Sequence, residues 1–320
     1  MNAPAPRSAI GWLTDKPYLL LTLTPLFWAG NAVVGRAVAG QFPPITLSIL
    51  RWSAAFILVL PFAWPHLVRD WAAIRQRLGL MAVLSFTGIS IFNSLQYWAL
   101  EYTEALNALL MQSSGPLFVA IWSLVLLGVR LTWAQAAGIL VSLCGVLVIL
   151  LRGDLAALSK ITLNKGDIIY LVALAIFGFY SALSTKRPAI HNLSFLAFTF
   201  GFGALCLIPM FAIELATRPM VQFTPHNLAV LAYVAVFPSI LSYLCFNRGV
   251  ELIGANRAAP FFHLIPVFGS AMAIIFLGEK PQLFHLVGYA LVLAGVVIAA
   301  RRPAHPRSPD TSFRTGREAD

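Results

Sequence analysis

Residues 101–130 read EYTEALNALLMQSSGPLFVAIWSLVLLGVR, and residues 251–280 read ELIGANRAAPFFHLIPVFGSAMAIIFLGEK. Set against each other at an offset of 150, Glu101 falls on Glu251, Ala105 on Ala255, Pro116 on Pro266, Gly128 on Gly278 and Arg130 on Lys280. The register runs on ungapped to Gly138 on Gly288 and Gly145 on Gly295. Each copy holds an acidic entry, an apolar helix with a proline at mid-span, a Gly-x-basic turn and a second apolar helix. Earlier positions match less well: Arg36 falls on Lys186, and Pro61 meets Pro209 only at an offset of 148.

The composition says what solvent these segments meet. Of 320 residues, 59% are hydrophobic and 11% charged, with mean hydropathy +0.81. Soluble domains carry about 25% charged residues, and a core of this length could not hide so much apolar surface. A soluble enzyme, a disordered chain and a nucleic-acid-binding domain are excluded. The net charge of +10 comes from short basic clusters between apolar runs, which suits loops at an anionic leaflet. Cys144, Cys206 and Cys245 are odd in number and well separated, which points to apolar packing rather than a disulfide framework or a metal knuckle.

A spanning helix needs about 20 mostly apolar residues. Ten such runs are legible: Pro17–Gly35, Ile45–Trp64, Leu78–Leu100, Ala105–Val129, Leu131–Leu151, Ile168–Thr185, Pro188–Ile213, a helix from near Leu228 to Asn247, Ala258–Gly278 and Pro281–Ala300. The expected fold is all-α, a polytopic membrane protein of ten transmembrane helices built as two inverted five-helix repeats. Residues 1–16 form the N-terminus, 17–151 the first repeat, 152–166 a connecting loop, 167–301 the second repeat and 302–320 a tail with little to bury. No secretory leader is expected, because the first run outlasts a short h-region. An even number of spans puts both termini on one side, and the segments on that side hold fourteen Lys and Arg against six opposite. The termini are therefore expected in the cytoplasm, with the chain in the plasma (inner) membrane.

Five helices per repeat is an odd number, so the second copy must cross in the opposite sense. Inverted repeats recur in secondary transporters, with the solute site near the midplane between the halves. Trp28-Ala29-Gly30-Asn31, Pro44 with Arg51 seven residues on, and Gly278-Glu279-Lys280 before the last run resemble the EamA-type drug/metabolite transporters over about residues 17–301. The resemblance implies ten helices, cytoplasmic termini and carriage or export of small metabolites such as amino acids. One departure stands out: the first half has Val129 where the second has Glu279.

Candidate solute-binding residues are the polar and aromatic groups inside runs, since polar groups in hydrocarbon should face the bundle or a wet cavity. They are Trp28, Asn31, Asn93, Gln96, Tyr97, Gln112, Ser114, Tyr180, Tyr243, Asn247 and His263. Asn93 and Tyr97 share a helix face, and the repeat puts Tyr243 and Asn247 at the matching positions. Cavity lining and plain helix–helix hydrogen bonding both fit them. Pro116 and Pro266 lack an amide proton and are candidate hinges, or simply kinks. His263 is a candidate proton relay or a packing residue. Glu101, Glu104, Glu214 and Glu251 lie near run ends, where structural or interfacial roles are favoured. Arg51 either snorkels to the interface, the favoured reading, or pairs with a carboxylate.

No Lys lies deep in any run, which argues against a phosphorylated solute. No cofactor or metal is expected, because neither ligand spacing nor a nucleotide-binding loop occurs. The expected partners are a small solute and the lipid bilayer, with no nucleic acid, and a carrier of ten helices can work as a monomer. The favoured activity is uniport or weakly proton-coupled export. A channel and an integral membrane enzyme are the rival readings.

Overall fold

The computed structural model describes residues 15–300 except 113, 129–132, 152, 155–163, 254–260, 262 and 263. The termini, most of the inter-repeat loop and His263 lie outside the described residues. The described chain is all-helical, with no strands. Its helices are α1 (Pro17–Ala37), α2 (Pro44–Gln76), α3 (Leu78–Ser85), α4 (Phe92–Leu100), α5 (Ala105–Gln112), α6 (Gly115–Leu127) and α7 (Trp133–Leu150). There follow α8 (Lys165–Ser184), α9 (Asn192–Thr217), α10 (Pro225–Ala235), α11 (Ser242–Ile253), α12 (Leu264–Leu277) and α13 (Leu283–Ala300).

Six stretches among the described residues are long and apolar enough to cross a membrane: α1, α2, Leu78–Leu100, α8, α9 and Pro225–Phe246. The pair α5 and α6, bent by 43°, makes a seventh if counted as one broken span. The sequence reading of ten is thus met plainly by six, and α12 and α13 are shorter apolar helices. Several boundaries move, α9 for example running Asn192–Thr217 rather than Pro188–Ile213. Helix α2 runs 33 residues to Gln76, about 50 Å at 1.5 Å per residue, so it outruns a hydrocarbon core of about 30 Å. Helix α10 begins at Pro225 rather than near Leu228, because Thr224 Oγ1 accepts from Asn227 N at 3.2 Å and proline at the first position needs no donor.

Two spans contain a π-turn, at Phe86–Ile91 between α3 and α4 and at Val236–Leu241 between α10 and α11. They lie 150 residues apart, the offset of the sequence repeat. Gly128 after α6 and Gly278 after α12 match in the same way, with φ of 65° and 66°. That left-handed geometry closes a helix at little cost only for glycine.

Helix packing follows the same exchange. Helix α8 packs on α6 and α4, and α1 packs on α12 and α11; α7 pairs with α13, and α2 with α9. The last pair is antiparallel and caps itself reciprocally. Glu214, late in α9, accepts from Ile45 N (3.0 Å), Thr46 N (2.6 Å) and Thr46 Oγ1 (2.7 Å) at the start of α2. Asp70, late in α2, accepts from His191 N (2.8 Å) and Ser194 Oγ (2.8 Å) at the start of α9. A carboxylate meets orphan amides and the positive end of the helix dipole at both ends. The outward faces expose Ile57, Phe62, Leu205 and Ile213, as lipid contact requires.

Two tests follow from this packing. A Cβ at Gly145 would lie 2.7 Å from Gly288 O and 2.8 Å from Val292 N. Gly145→Ala is expected to force α7 from α13 and lower stability by about 1–3 kcal/mol, read as a fall in melting temperature of detergent-purified protein. Gly79→Ala, with nothing within 4 Å, should leave it unchanged. The second test concerns pH. His191 Nδ1 accepts from Leu193 N at 3.2 Å, which needs that nitrogen unprotonated. Burial, then the neighbouring His66 and Arg69, hold the His191 pKa below the usual 6.5. Its contribution is whole above that value and is lost as pH falls through the lowered one. Melting temperature should drop across mildly acidic pH, and less so in His191→Asn.

Candidate functional site

The two π-turns are where the polar interior begins. A wide turn releases backbone carbonyls, and in hydrocarbon each must find a donor. Pro238 has no N–H to give Val234 O, and Ser239 Oγ donates to that carbonyl instead, at 2.8 Å. Trp28 Nε1 donates to Pro238 O at 3.2 Å. In the other turn, Asn93 Nδ2 donates to Gly88 O (3.1 Å) and Ile89 O (3.2 Å). Side chains held by these carbonyls have their remaining atoms aimed inward.

Those atoms converge on Arg51. Its Nε donates to Ser239 Oγ at 2.7 Å. Its Nη1 donates toward Tyr97 Oη (2.8 Å), Asn93 Oδ1 (3.1 Å) and Asn31 Oδ1 (3.2 Å). Tyr97 Oη in turn donates to Asn31 Oδ1 at 2.7 Å. The guanidinium lies 4.3 Å from the Trp52 ring centroid. Arg51 is 3% exposed, so it does not snorkel. The favoured sequence reading fails because Nε and Nη1 are held by α1, α4 and the second π-turn before the head could reach the interface.

The predicted residues sort around this centre. Asn31, Asn93 and Tyr97 join directly on Arg51. Trp28 packs edge-on to Tyr243 (6.1 Å) and against Phe246 (6.0 Å), and Tyr243 meets Phe200 (6.0 Å). These rings form an aromatic layer beside the polar knot. Tyr180 lies flat against Gly88, where a Cβ would come within 2.5 Å of its ring, so only glycine lets α8 approach the first π-turn. Gln96 and Gln112 belong to a separate relay: Gln96 Nε2 donates to Tyr170 Oη (3.3 Å), which donates to Gln112 Oε1 (3.1 Å). Ser114 turns back on Met111 O at 2.6 Å, serving the break between α5 and α6. Pro116 opens α6, and Pro266 lies buried in the first turn of α12. Asn247 lies in α11 with its side chain outside the described atoms, and His263 is outside the described residues.

Arg51, Ser239 and Tyr170 were missed as site residues. A lone Arg inside an apolar run was signal enough for the first, since intramembrane charges face the interior and cost roughly 2.5–3.5 kcal/mol on insertion scales. Ser239 follows Pro238, the pattern of a hydroxyl repairing a proline gap. Tyr170 carries no such mark.

A second polar set ties the halves together on the side opposite the termini. Glu101 grips Arg218 through two bonds, 2.5 Å and 3.1 Å. Glu279 accepts from Ala105 N (2.9 Å) and Leu106 N (2.8 Å). Thr103 Oγ1 donates to Asp167, and His285 Nε2 lies 2.6 Å from Asn107 Oδ1. Because His285 Nδ1 accepts from Gln282 N at 3.0 Å, Nε2 carries the proton. His285 is buried.

The model of the EamA-like transporter family matches residues 15–151 and again 164–301. The chain belongs to the EamA-like transporter family. It is 29% identical over 292 residues to an "Uncharacterized transporter" of Archaeoglobus fulgidus, covering 91% of this chain and 99% of that one. It is 27% identical to the "Probable terminal-alkyne amino-acid exporter" of Streptantibioticus cattleyicolor, over 90% and 94%. A "Probable amino-acid metabolite efflux pump" of Salmonella typhimurium is 26% identical over 89% and 95%. A solved crystal structure shares the fold with a TM-score of 0.56 at 18% identity, over 88% of this chain and 96% of that one. This EamA-family chain is accordingly an integral membrane protein of the transporter class.

Tyr97→Phe removes both the acceptor for Arg51 and the donor to Asn31. It is expected to destabilise the protein by about 1–3 kcal/mol, seen as a lower melting temperature. Gln96→Leu leaves the Arg51 knot intact and should cost less.

Proposed function

We propose that this chain is a secondary carrier working by alternating access, with ten helices in two inverted five-helix repeats. Its solutes are small amphipathic metabolites, amino acids or similar, and it exports them by uniport or weak proton coupling. The termini face the cytoplasm and the chain sits in the inner membrane. The observation that carries this reading is the exchange of roles between the halves. Every packing just described, α8 on α6 and α4 against α1 on α12 and α11, has a counterpart 150 residues away. The reciprocal caps of α2 and α9 put equal groups at opposite ends of an antiparallel pair. A molecule that looks alike after inversion can exchange an outward-open for an inward-open state at small cost. The double match to the family model and the exporter names of two relatives support the same reading.

The ends are not equally tied. Among the described residues, Glu101–Arg218, Glu214, Glu279, Thr103–Asp167 and His285–Asn107 all cross between halves opposite the termini. Asp70 with His191 and Ser194, and Arg248 near Asp15 at 3.7 Å, do so at the other end. In this reading the conformation is closed away from the termini, and the Glu101–Arg218 pair is part of the gate.

Counterflow of labelled amino acids in proteoliposomes tests both points. A carrier shows exchange acceleration by unlabelled solute, whereas a pore shows none and would sink the proposal. Glu101→Arg and Arg218→Glu should each slow exchange tenfold or more, with the double charge swap restoring most of the rate.

A further inference from the structure

We infer that Arg51 is the anchor for a carboxylate on the transported solute. The inference rests on the carrier reading, because it concerns what the carrier's central site holds. Arginine stays protonated in any protein environment, so Arg51 brings a full positive charge about 10 Å along α2 from Pro44, at 1.5 Å per residue. All four of its hydrogen-bond partners, Ser239, Asn31, Asn93 and Tyr97, are neutral. Among the described residues no carboxylate pairs with it, and Glu214, on the helix packed against α2, is consumed by Ile45 and Thr46. Buried charges are ordinarily paired. This one is hydrogen-bonded yet not neutralised.

The fork is also only partly used. Nε and Nη1 are engaged, while Nη2 makes no hydrogen bond among the described residues. Unpartnered buried polar atoms also occur on the same two helices, α2 and α4. Ser48 Oγ and Trp52 Nε1, one turn apart on α2, and Ser94 Oγ, next to Asn93, have no partner. All three side chains are more than nine-tenths buried. Folded interiors seldom leave such groups unmet. They are the donors expected of a site completed by a polar guest. A planar guanidinium with a free edge matches a carboxylate, and the Trp52, Trp28 and Tyr243 rings beside it offer cover for an apolar body. A phosphate is disfavoured, since its charge of about −2 would face a single cation here. A permanent internal carboxylate would fill the same edge, and neutral partners leave it open for a solute that must also depart.

The test uses full-length purified protein and three matched probes: L-phenylalanine, 3-phenylpropanoate and phenethylamine. Chloride and inorganic phosphate serve as ion controls. Melting temperature should rise with the two carboxylates and not with the amine or the inorganic ions. Arg51→Gln should weaken the carboxylate response tenfold or more. Because that variant can misfold, Asn31→Asp is the second arm. It puts a carboxylate beside Nη1, where Asn31 Oδ1 now lies at 3.2 Å. The unliganded protein should then melt at or above the wild-type temperature while carboxylate affinity falls tenfold or more. Equal stabilisation by phenethylamine, no response to either carboxylate, a larger response to phosphate, or an undiminished carboxylate response in Asn31→Asp would each overturn the assignment. Counterflow separates the two readings. If phenethylamine exchanges and the carboxylates do not, the carrier stands and the anchor falls. If neither the amino acids, 3-phenylpropanoate nor phenethylamine exchange in the wild type, the carrier falls, whatever the melting data say of Arg51.

Discussion

A guanidinium cannot shed its proton, and hydrocarbon cannot solvate it. Arg51 therefore dictates what surrounds it. It draws Asn31 from α1, Asn93 and Tyr97 from α4 and Ser239 from the second half into one knot. Those partners could not be placed by regular helices. Ser239 is available because Pro238 breaks the ladder and leaves Val234 O for the hydroxyl to satisfy. Asn93 is oriented because its amide nitrogen is spent on the carbonyls freed at Gly88 and Ile89. Local irregularity in two helices thus serves a single long-range requirement, and the charge joins side chains held by both irregular turns.

That dependence explains what could be read in the sequence and what could not. The repeat was legible because Pro116, Gly128, Gly138 and Gly145 have counterparts at one offset, and glycine and proline report backbone demands directly. Gly128 and Gly278 share a left-handed φ, 65° and 66°. The shared face of Asn93 and Tyr97 was legible from four-residue spacing. The π-turns were not, since only one contains a proline and the other reads as an ordinary apolar run. Arg51 was visible but misassigned, because snorkelling is judged from distance to an interface, whereas burial depends on acceptors carried by three other elements. The length of α2 was hidden for a related reason: charges from Arg69 to Arg75 signal the end of a span, not the end of a helix.

The repeat is also imperfect where it matters. Arg51 has Gly201 at its matching position, and Glu279 has Val129. The first substitution leaves one cation at the centre rather than two, in a site that needs no symmetry to bind one solute. The second gives the N-terminus of α5 a carboxylate clamp whose counterpart the first half does not provide. Exact symmetry would give the two closed states equal free energy. Unequal clamps bias them, and a carrier whose resting state is biased loads preferentially from one side. In the proposed carrier, duplication would supply the two states, and divergence at a few charged positions would set the resting direction.

Fixed polar contacts and a mobile mechanism are compatible because of where each class of contact sits. The ties opposite the termini are carboxylate bonds to amides, hydroxyls and one arginine, with the His285–Asn107 pair, near helix ends where water could replace a lost partner if the halves part. The Arg51 knot lies deeper and has no such replacement except a guest. In the proposed carrier, opening either end would cost least when the centre is kept satisfied throughout. A solute whose own charge completes the guanidinium would lower the barrier to interconversion, and an empty site would raise it. Coupling between occupancy and movement then follows from electrostatics at one residue, without a separate trigger.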